Sequence, residues 1–302
     1  MLSKIRKKIE EAPVITIFRH VNPDMDAVGS QMGLKAAIEH LWPEKKVYAL
    51  GGMTKDGFVM DQTDDETVKG SLAILLDTSN RDRIDDDRYL SAKDKIRLDH
   101  HVKVEDLADL DYVDDKASAT GEILAQLLEP YNIGKESAQY LYEALTSDNI
   151  RYTTSNTTPK SLTAGAWLIS QGADVVQSEL DNHAATYESW QYEVKVKSKA
   201  VRRNNLLFAV MDENDYLSAG LSATQAKDKV YCLSGIQDIT MWALFTKQED
   251  NTYNASLRSR ERDVRTTAAK FGGGGHVCAA GIKGLQAEDV KAIIDELAKL
   301  SA

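Results

Sequence analysis

Three short, largely apolar runs in this chain each end in a cluster of acidic and imidazole side chains, and that arrangement constrains the fold more than any other feature. Val14-Ile15-Thr16-Ile17-Phe18 leads into His20-Val21-Asn22-Pro23-Asp24-Met25-Asp26. Leu72-Ala73-Ile74-Leu75-Leu76 leads into Asp77-Thr78-Ser79, and Lys95-Ile96-Arg97-Leu98 leads into Asp99-His100-His101. Runs of this length, rich in branched side chains, read as buried strands. Helical periodicity lies between them: residues 27–40 place Val28, Met32, Ala36 and Ile38 on one face, and 47–50 reads as another strand. Further helices are expected over 121–128, 137–145 and 160–171. Strands alternating with helices imply a mostly parallel sheet flanked by helices, and ligands of such sheets gather at the carboxyl ends of the strands. The three polar clusters are therefore expected to converge on one edge.

Beyond residue 173 the pattern changes. A long polar stretch over 173–201, with Trp190 and Tyr192, reads as a mostly helical connector. Strands are expected at 206–210, 230–233, 241–245 and 253–257, and a helix at 287–300 closes the chain. The expected organisation is α/β throughout: a larger domain over 1–185, a linker helix over 186–203, and a smaller mixed α/β domain over 204–302. A length of 302 residues suits two domains better than one.

Charge narrows the partners. The net charge of −10 offers no broad basic footprint for long nucleic acid, which is held by neutralising many phosphates. Any nucleotide partner should be short and gripped locally. The N-terminal residues lack an apolar segment behind their charges, and no apolar run reaches membrane-spanning length, so no membrane partner is expected. Two cysteines, Cys232 and Cys278, fit neither a disulfide framework nor a zinc spacing, and a reducing cytoplasm is the simplest expectation.

Taken singly, most of the chemistry-bearing residues have bland readings. Asp24 or Asp26 could cap the helix that follows, and Asp77 or Asp148 could be an ordinary strand-end or helix-end carboxylate. The Asp99-His100-His101 triplet is harder to dismiss, because the chain has only six histidines and burying two beside a carboxylate is costly without a ligand. Another cluster, Asp148-Asn149-Ile150-Arg151-Tyr152, follows an expected helix. In the second domain Ser256-Leu257-Arg258-Ser259-Arg260 precedes Gly272-Gly273-Gly274-Gly275-His276. Four glycines alone suggest a flexible turn; with a histidine and two upstream arginines they suit anion capture by backbone amides.

In this order the five motifs resemble those of the DHH/DHHA1 phosphoesterases, across nearly the whole chain. A length near 300 residues most resembles the oligoribonuclease/pAp phosphatase branch. The resemblance implies two divalent metal ions, most simply Mn²⁺, with Mg²⁺ or Co²⁺ as alternatives. His20, Asp24 and Asp77 would hold the first; Asp26, Asp77, His100 and Asp148 the second, with Asp77 bridging. His101 would stand near the substrate as a proton carrier and Asp99 would support the histidine pair. Arg258, Arg260, His276, Arg151 and the amides of Gly273, Gly274 and Gly275 would hold substrate. The implied reaction is hydrolysis of short RNA or of phosphorylated nucleotides such as pAp by metal-activated hydroxide. Cyclic di-AMP or pApA cleavage, pyrophosphate or polyphosphate hydrolysis, and a non-catalytic nucleotide-binding module are the alternatives, and a homodimer is left open. Two departures stand out: Met25 occupies a position where relatives often carry Gly, and Asn149-Ile150 replaces a frequent Thr-Gly.

Overall fold

A computed structural model describes residues 1–54 and 57–302, which divide into two compact units, Met1–Ala184 and Ala185–Ala302. The first begins with α1 (Leu2–Glu11), whose Ile5 and Ile9 are buried at helical spacing. It continues through β1 (Val14–Phe18), α2 (Met25–Leu41), β2 (Lys46–Ala49), α3 (Asp65–Lys69), β3 (Leu72–Leu76), β4 (Asp94–Asp99) and β5 (Leu110–Val113). Four helices complete it: α4 (Thr120–Leu128), α5 (Gly134–Asp148), α6 (Pro159–Ser170) and α7 (Val175–His183). The five strands form one parallel sheet in the order β2-β1-β3-β4-β5.

Every residue of β3 is buried, which explains its unbroken apolar run: the central strand of a parallel sheet is covered on both faces. The strand order reverses between β1 and β3. That switch point leaves a crevice at the carboxyl ends of these two strands, where parallel sheets accept ligands. His20 follows β1 and Asp77 follows β3, so both stand at the crevice. α2 and α5 pack against each other at close range through small residues. A Cβ on Gly29 would come within 2.6 Å of the Tyr140 carbonyl oxygen, so the approach requires glycine. This contact brings the start of α2, with Asp24 and Asp26, towards the end of α5, with Asp148.

The second unit contains α8 (Tyr187–Lys199), β6 (Val201–Arg203), β7 (Leu206–Met211), α9 (Glu213–Leu217), α10 (Ala223–Asp228), β8 (Met241–Lys247) and β9 (Tyr253–Ser259). α11 (Arg265–Lys270), β10 (Gly274–His276), β11 (Ala279–Leu285) and α12 (Ala287–Leu300) follow. Its six-stranded sheet runs β10-β11-β9-β8-β7-β6, with only β7 and β8 parallel. α12 buries Val290, Ile293, Ile294 and Leu297, an amphipathic stripe at positions i, i+3, i+4 and i+7.

One expectation changes. Residues 230–233 are not a strand: they lie in a 3₁₀ turn, with Val230 and Leu233 buried three residues apart, the spacing of that turn rather than of a pleat. The stretch over 173–201 holds two helices, α7 and α8, the second started by Thr186, which accepts a hydrogen bond from the Ser189 amide at 3.1 Å. Tyr192 and Val196 of α8 then pack against Ala209 and Met211 within the second unit's own core. No helix among the described residues is long and apolar enough to cross a membrane.

Candidate active site

The ends of β1, β3 and β4, the first turn of α2 and the last residue of α5 gather two imidazoles and four carboxylates. Asp77 is the pivot. Its Oδ2 lies 3.4 Å from His20 Nε2, and its Oδ1 lies 3.4 Å from His100 Nε2. His20 Nε2 is also 3.7 Å from Asp24 Oδ1, while His100 Nε2 is 3.7 Å from Asp26 Oδ2 and 3.3 Å from Asp148 Oδ2. The result is two groups of donors, His20–Asp24–Asp77 and Asp26–His100–Asp148, with one carboxylate oxygen of Asp77 turned to each. Within each of these triads the donor atoms lie within 4.8 Å of one another. Nitrogen and oxygen donors this close fit first-row divalent cations.

Local structure fixes each donor. His20 Nδ1 stands 2.8 Å from the Val21 carbonyl oxygen. A proton there leaves the Nε2 lone pair facing the carboxylates, the tautomer a metal ligand needs. Asp24 does cap α2, accepting from the Ala27 amide at 3.1 Å, so the bland and functional readings coexist in one side chain. Asp26 is buried and accepts from the backbone amides of Thr120 at 2.7 Å and Gly121 at 3.0 Å. The amino end of α4 thus holds a carboxylate, as helix dipoles favour. Thr120 Oγ1 also donates to Asp77 Oδ1 at 3.1 Å. Asp77 itself has φ 55°, a left-handed conformation that costs a non-glycine residue energy.

The protonation of the cluster shows how much charge is concentrated in it. Burial favours neutral imidazoles, but the carboxylates of Asp24 and Asp77 outweigh it and push His20 up to about 10. His100 is likewise pushed up to about 10, against burial, by Asp77, Asp26 and Asp148. Burial, reinforced by Asp77, lifts Asp148 to about 6, and burial lifts Asp26 well above the usual carboxylate range. Asp77 moves the other way: burial opposes its charge, yet His100 and His20 hold it well below. Protons thus take the place that cations are suited to fill.

His101 and Asp99 stand beside this set. His101 Nδ1 lies 2.8 Å from Asp99 Oδ1 and 3.5 Å from Asp77 Oδ1, and the ring is half-exposed. Asp99 also accepts from the His101 amide at 3.1 Å, which fixes the ring's orientation. Arg151 is exposed and paired with Glu179 at 2.8 Å.

Several contributors carry no signal of the kind used in the sequence reading. Thr120 and Gly121 hold Asp26 through backbone amides, which any non-proline residue can supply, while the Thr120 hydroxyl reaches Asp77 and Gly121 leaves room for α5. Arg19, fully buried, donates to Asp85 at 2.7 Å and to the Gly52 carbonyl at 2.7 Å, anchoring the strand end that presents His20. Arg83 Nη2 lies 3.2 Å from His20 Nδ1.

In the second unit, His276 pairs with Ala279 and Ala279 with Arg258, so the two sequence-predicted residues share one face across β10, β11 and β9. The glycine segment is more ordered than a flexible turn. The Gly273 amide donates to the Ala268 carbonyl at 2.9 Å and that of Gly272 to Ala269 at 3.2 Å, closing α11 with a Schellman cap. The Gly273 amide is therefore occupied, contrary to the expectation that it is exposed for anion capture. Gly274 and Gly275 continue as an edge strand. A Cβ on Gly273 would meet the Gly281 carbonyl oxygen at 2.3 Å, so packing against β11 alone requires glycine there. A cavity of about 300 Å³ lies beside the segment, lined in part by Lys227, Asn254 and Lys283, to which the sequence analysis gave no role, and by Ser256 at the head of the arginine motif. Arg260 donates to the carbonyls of Gln237 and Ile236 at 3.2 and 2.8 Å.

A parallel α/β sheet with a two-lobed His/Asp cluster at its switch point defines a phosphoesterase-type centre built around divalent-cation donors. The chain belongs to the DHH phosphoesterase family: a model of the DHH family N-terminal domain matches residues 14–148, and one of the DHHA1 domain matches residues 204–301. The Bacillus subtilis protein named bifunctional oligoribonuclease and PAP phosphatase NrnA is 30% identical over 320 residues, covering 99% of this chain and 98% of its own. A Streptococcus mutans relative, named probable bifunctional oligoribonuclease and PAP phosphatase NrnA, is 30% identical over 303 residues, covering 98% of this chain and 97% of its own. The crystal structure of an exopolyphosphatase-related protein from Bacteroides fragilis shares the fold, with a TM-score of 0.83 at 21% identity, covering 99% of this chain and 95% of that one. Proteins of this family are hydrolases of phosphoester bonds.

Proposed function

We propose that this chain is a two-metal phosphoesterase, Mn²⁺-dependent and cytoplasmic, that hydrolyses very short RNA and phosphorylated mononucleotides such as pAp. The observation that carries the reading is Asp77, with one oxygen 3.4 Å from His20 and the other 3.4 Å from His100. His20, Asp24 and Asp77 would hold one ion, and Asp26, Asp77, His100 and Asp148 the other. Mixed imidazole and carboxylate donors suit Mn²⁺ better than Mg²⁺, which prefers oxygen alone. Bound ions would neutralise phosphoryl oxygens and lower the pKa of water at neutral pH.

The chain's own residues divide the remaining work. Asp99 orients His101, which delivers a proton to the departing oxygen. Arg258 and His276, on one sheet face, take the anionic part of the substrate, with Arg260, Arg151 and the glycine segment in support. Full-length similarity to proteins named for oligoribonuclease and pAp phosphatase activity favours nucleotides over pyrophosphate. Cyclic di-AMP is the second reading. A Geobacillus thermodenitrificans relative named for that phosphodiesterase activity is 26% identical, but this chain spans only 45% of its length.

One chromatographic assay tests the proposal. Protein stripped with chelator should be inactive on pAp and short RNA, and Mn²⁺ should restore it more strongly than Mg²⁺. Including pApA, cyclic di-AMP and pyrophosphate ranks the substrates. Full activity in the stripped protein would overturn the metal assignment.

A further inference from the structure

A second cavity, of about 770 Å³, opens within the N-terminal unit, and the proposed chemistry leaves it unused. Met25, Phe58, Tyr140, Glu143 and Asn182 are among its lining residues. Met25 joins it to the cluster, since its chain neighbours are Asp24 and Asp26. The other wall is α5, which ends in Asp148. Glu143 and Tyr140 stand five and eight residues before that carboxylate, or about 7 and 12 Å along the helix axis. A group filling this cavity would therefore lie one short reach from a phosphate at the cluster.

The chemistry of the lining restricts that group. Glu136, Glu143 and Asp181 face a single lysine, Lys135, so the cavity disfavours a further phosphate. Phe58 and Tyr140 meet edge to face with ring centres 6.3 Å apart, and with Met25 they give the cavity an aromatic and thioether surface. Apart from the Lys135 ammonium and the Tyr140 hydroxyl, the side-chain hydrogen-bond donors are spent. The Gln139 side-chain amide donates to Glu143 Oε1 at 2.7 Å, and its oxygen accepts from the Asp174 amide at 2.7 Å. Asn182 Nδ2 is turned to the Glu143 carbonyl oxygen at 3.4 Å. The remaining capacity is mostly acceptor: three carboxylates and the Asn182 oxygen. An occupant should be flat, uncharged and rich in donors.

We propose that this cavity is a nucleobase subsite that selects a base with an exocyclic amine and no exocyclic carbonyl, and so takes adenine over uracil. The inference rests on the phosphoesterase reading for its role in turnover, since the cluster beside it must hold the phosphate. Uracil would turn two carbonyl oxygens towards a wall of carboxylates, whereas the adenine amine donates to them.

The test measures kcat/KM of the Mn²⁺-loaded full-length protein on three compounds: adenosine 3′,5′-bisphosphate, its uridine counterpart and the abasic ribose bisphosphate. One discriminating hydrogen bond should favour adenosine over uridine by about tenfold. Glu143→Gln should bring that ratio near unity, and Phe58→Ala should bring the adenosine compound close to the abasic one. Equal rates on all three compounds with wild-type protein, or an unchanged preference in both variants, would overturn the subsite. If none of the three is hydrolysed, the reading of phosphorylated mononucleotides as substrates fails instead. Equilibrium dialysis of adenosine and uridine against chelator-treated protein then decides the cavity: adenosine-selective retention lost in Glu143→Gln upholds it, and equal retention rejects it.

Discussion

Asp77 bears the most stringent demands in the cluster. It is buried, held in a left-handed conformation, and turned to an imidazole through each oxygen. Asp77→Asn preserves volume and can still accept from Thr120, but it replaces one donor oxygen with an amide that cannot ligate a cation. Turnover should fall by at least about a hundredfold while circular dichroism shows a folded protein. Near-normal kcat in the variant would show that no bridging role exists. At this scale much of the site was legible. His20, Asp24, Asp26, Asp77, His100 and Asp148 were singled out by residue type and position and given ligand roles by the family resemblance, and the fold brings all six together. The amides of Thr120 and Gly121 were not legible, because a backbone donor leaves no mark on residue identity. The Gly273 amide misled for the converse reason: glycine marks a need for space or for positive φ, and here packing and a helix cap supply that need.

At the scale of elements, the turn after α5 stands out. Ile150, Arg151 and Tyr152 follow Asp148 with φ values of 46°, 58° and 65°. Three consecutive non-glycine residues in the left-handed region are costly, most of all for the β-branched Ile150. Buried Asn149 holds the turn: its side-chain oxygen accepts from the Tyr152 amide at 2.8 Å, and its carbonyl accepts from Thr153 at 3.0 Å. Ile150 is 49% exposed, so truncating it removes little burial. Ile150→Gly should therefore be neutral to stabilising, by up to about 1 kcal/mol in chemical denaturation, despite the entropy glycine adds to the unfolded chain. A loss of more than that would show that the side chain contributes packing that outweighs the strain. Elements with a long apolar run, such as β3, or with helical periodicity, such as α2 and α12, were readable from sequence. Of the short edge strands β2 was readable, but β5, β6 and β10 were not: they have three or four residues each, with no alternation to detect. β11 hides its pattern behind two glycines and a lysine.

For the whole molecule, the cluster links stability to pH and to metal. His20 and His100 have ordinary values of 6.5 when unfolded and about 10 when folded. Because the folded state binds their protons more tightly, the stability they contribute is fully present below pH 6.5 and drains away as pH rises towards 10. Asp148, moved from 3.8 to about 6, acts with the same sign at lower pH: its contribution is present below 3.8 and lost by about 6. Asp77 has the opposite sign, since its depressed value makes its contribution fail as pH falls below 3.8. Metal-free protein should therefore lose melting temperature between pH 6.5 and 8.5, because the unfolded chain releases its imidazole protons there while the folded pocket must still hold them. Divalent cations bind the deprotonated donors and release protons, so their stabilising effect should grow over the same interval. Thermal scans with chelator and with 100-fold excess Mn²⁺ check this. The gap between the two melting temperatures should widen by at least about 3 °C from pH 6.5 to 8.5. A gap that stayed constant, or narrowed with rising pH, would mean that the protons counted here and the cations do not compete for one set of donors.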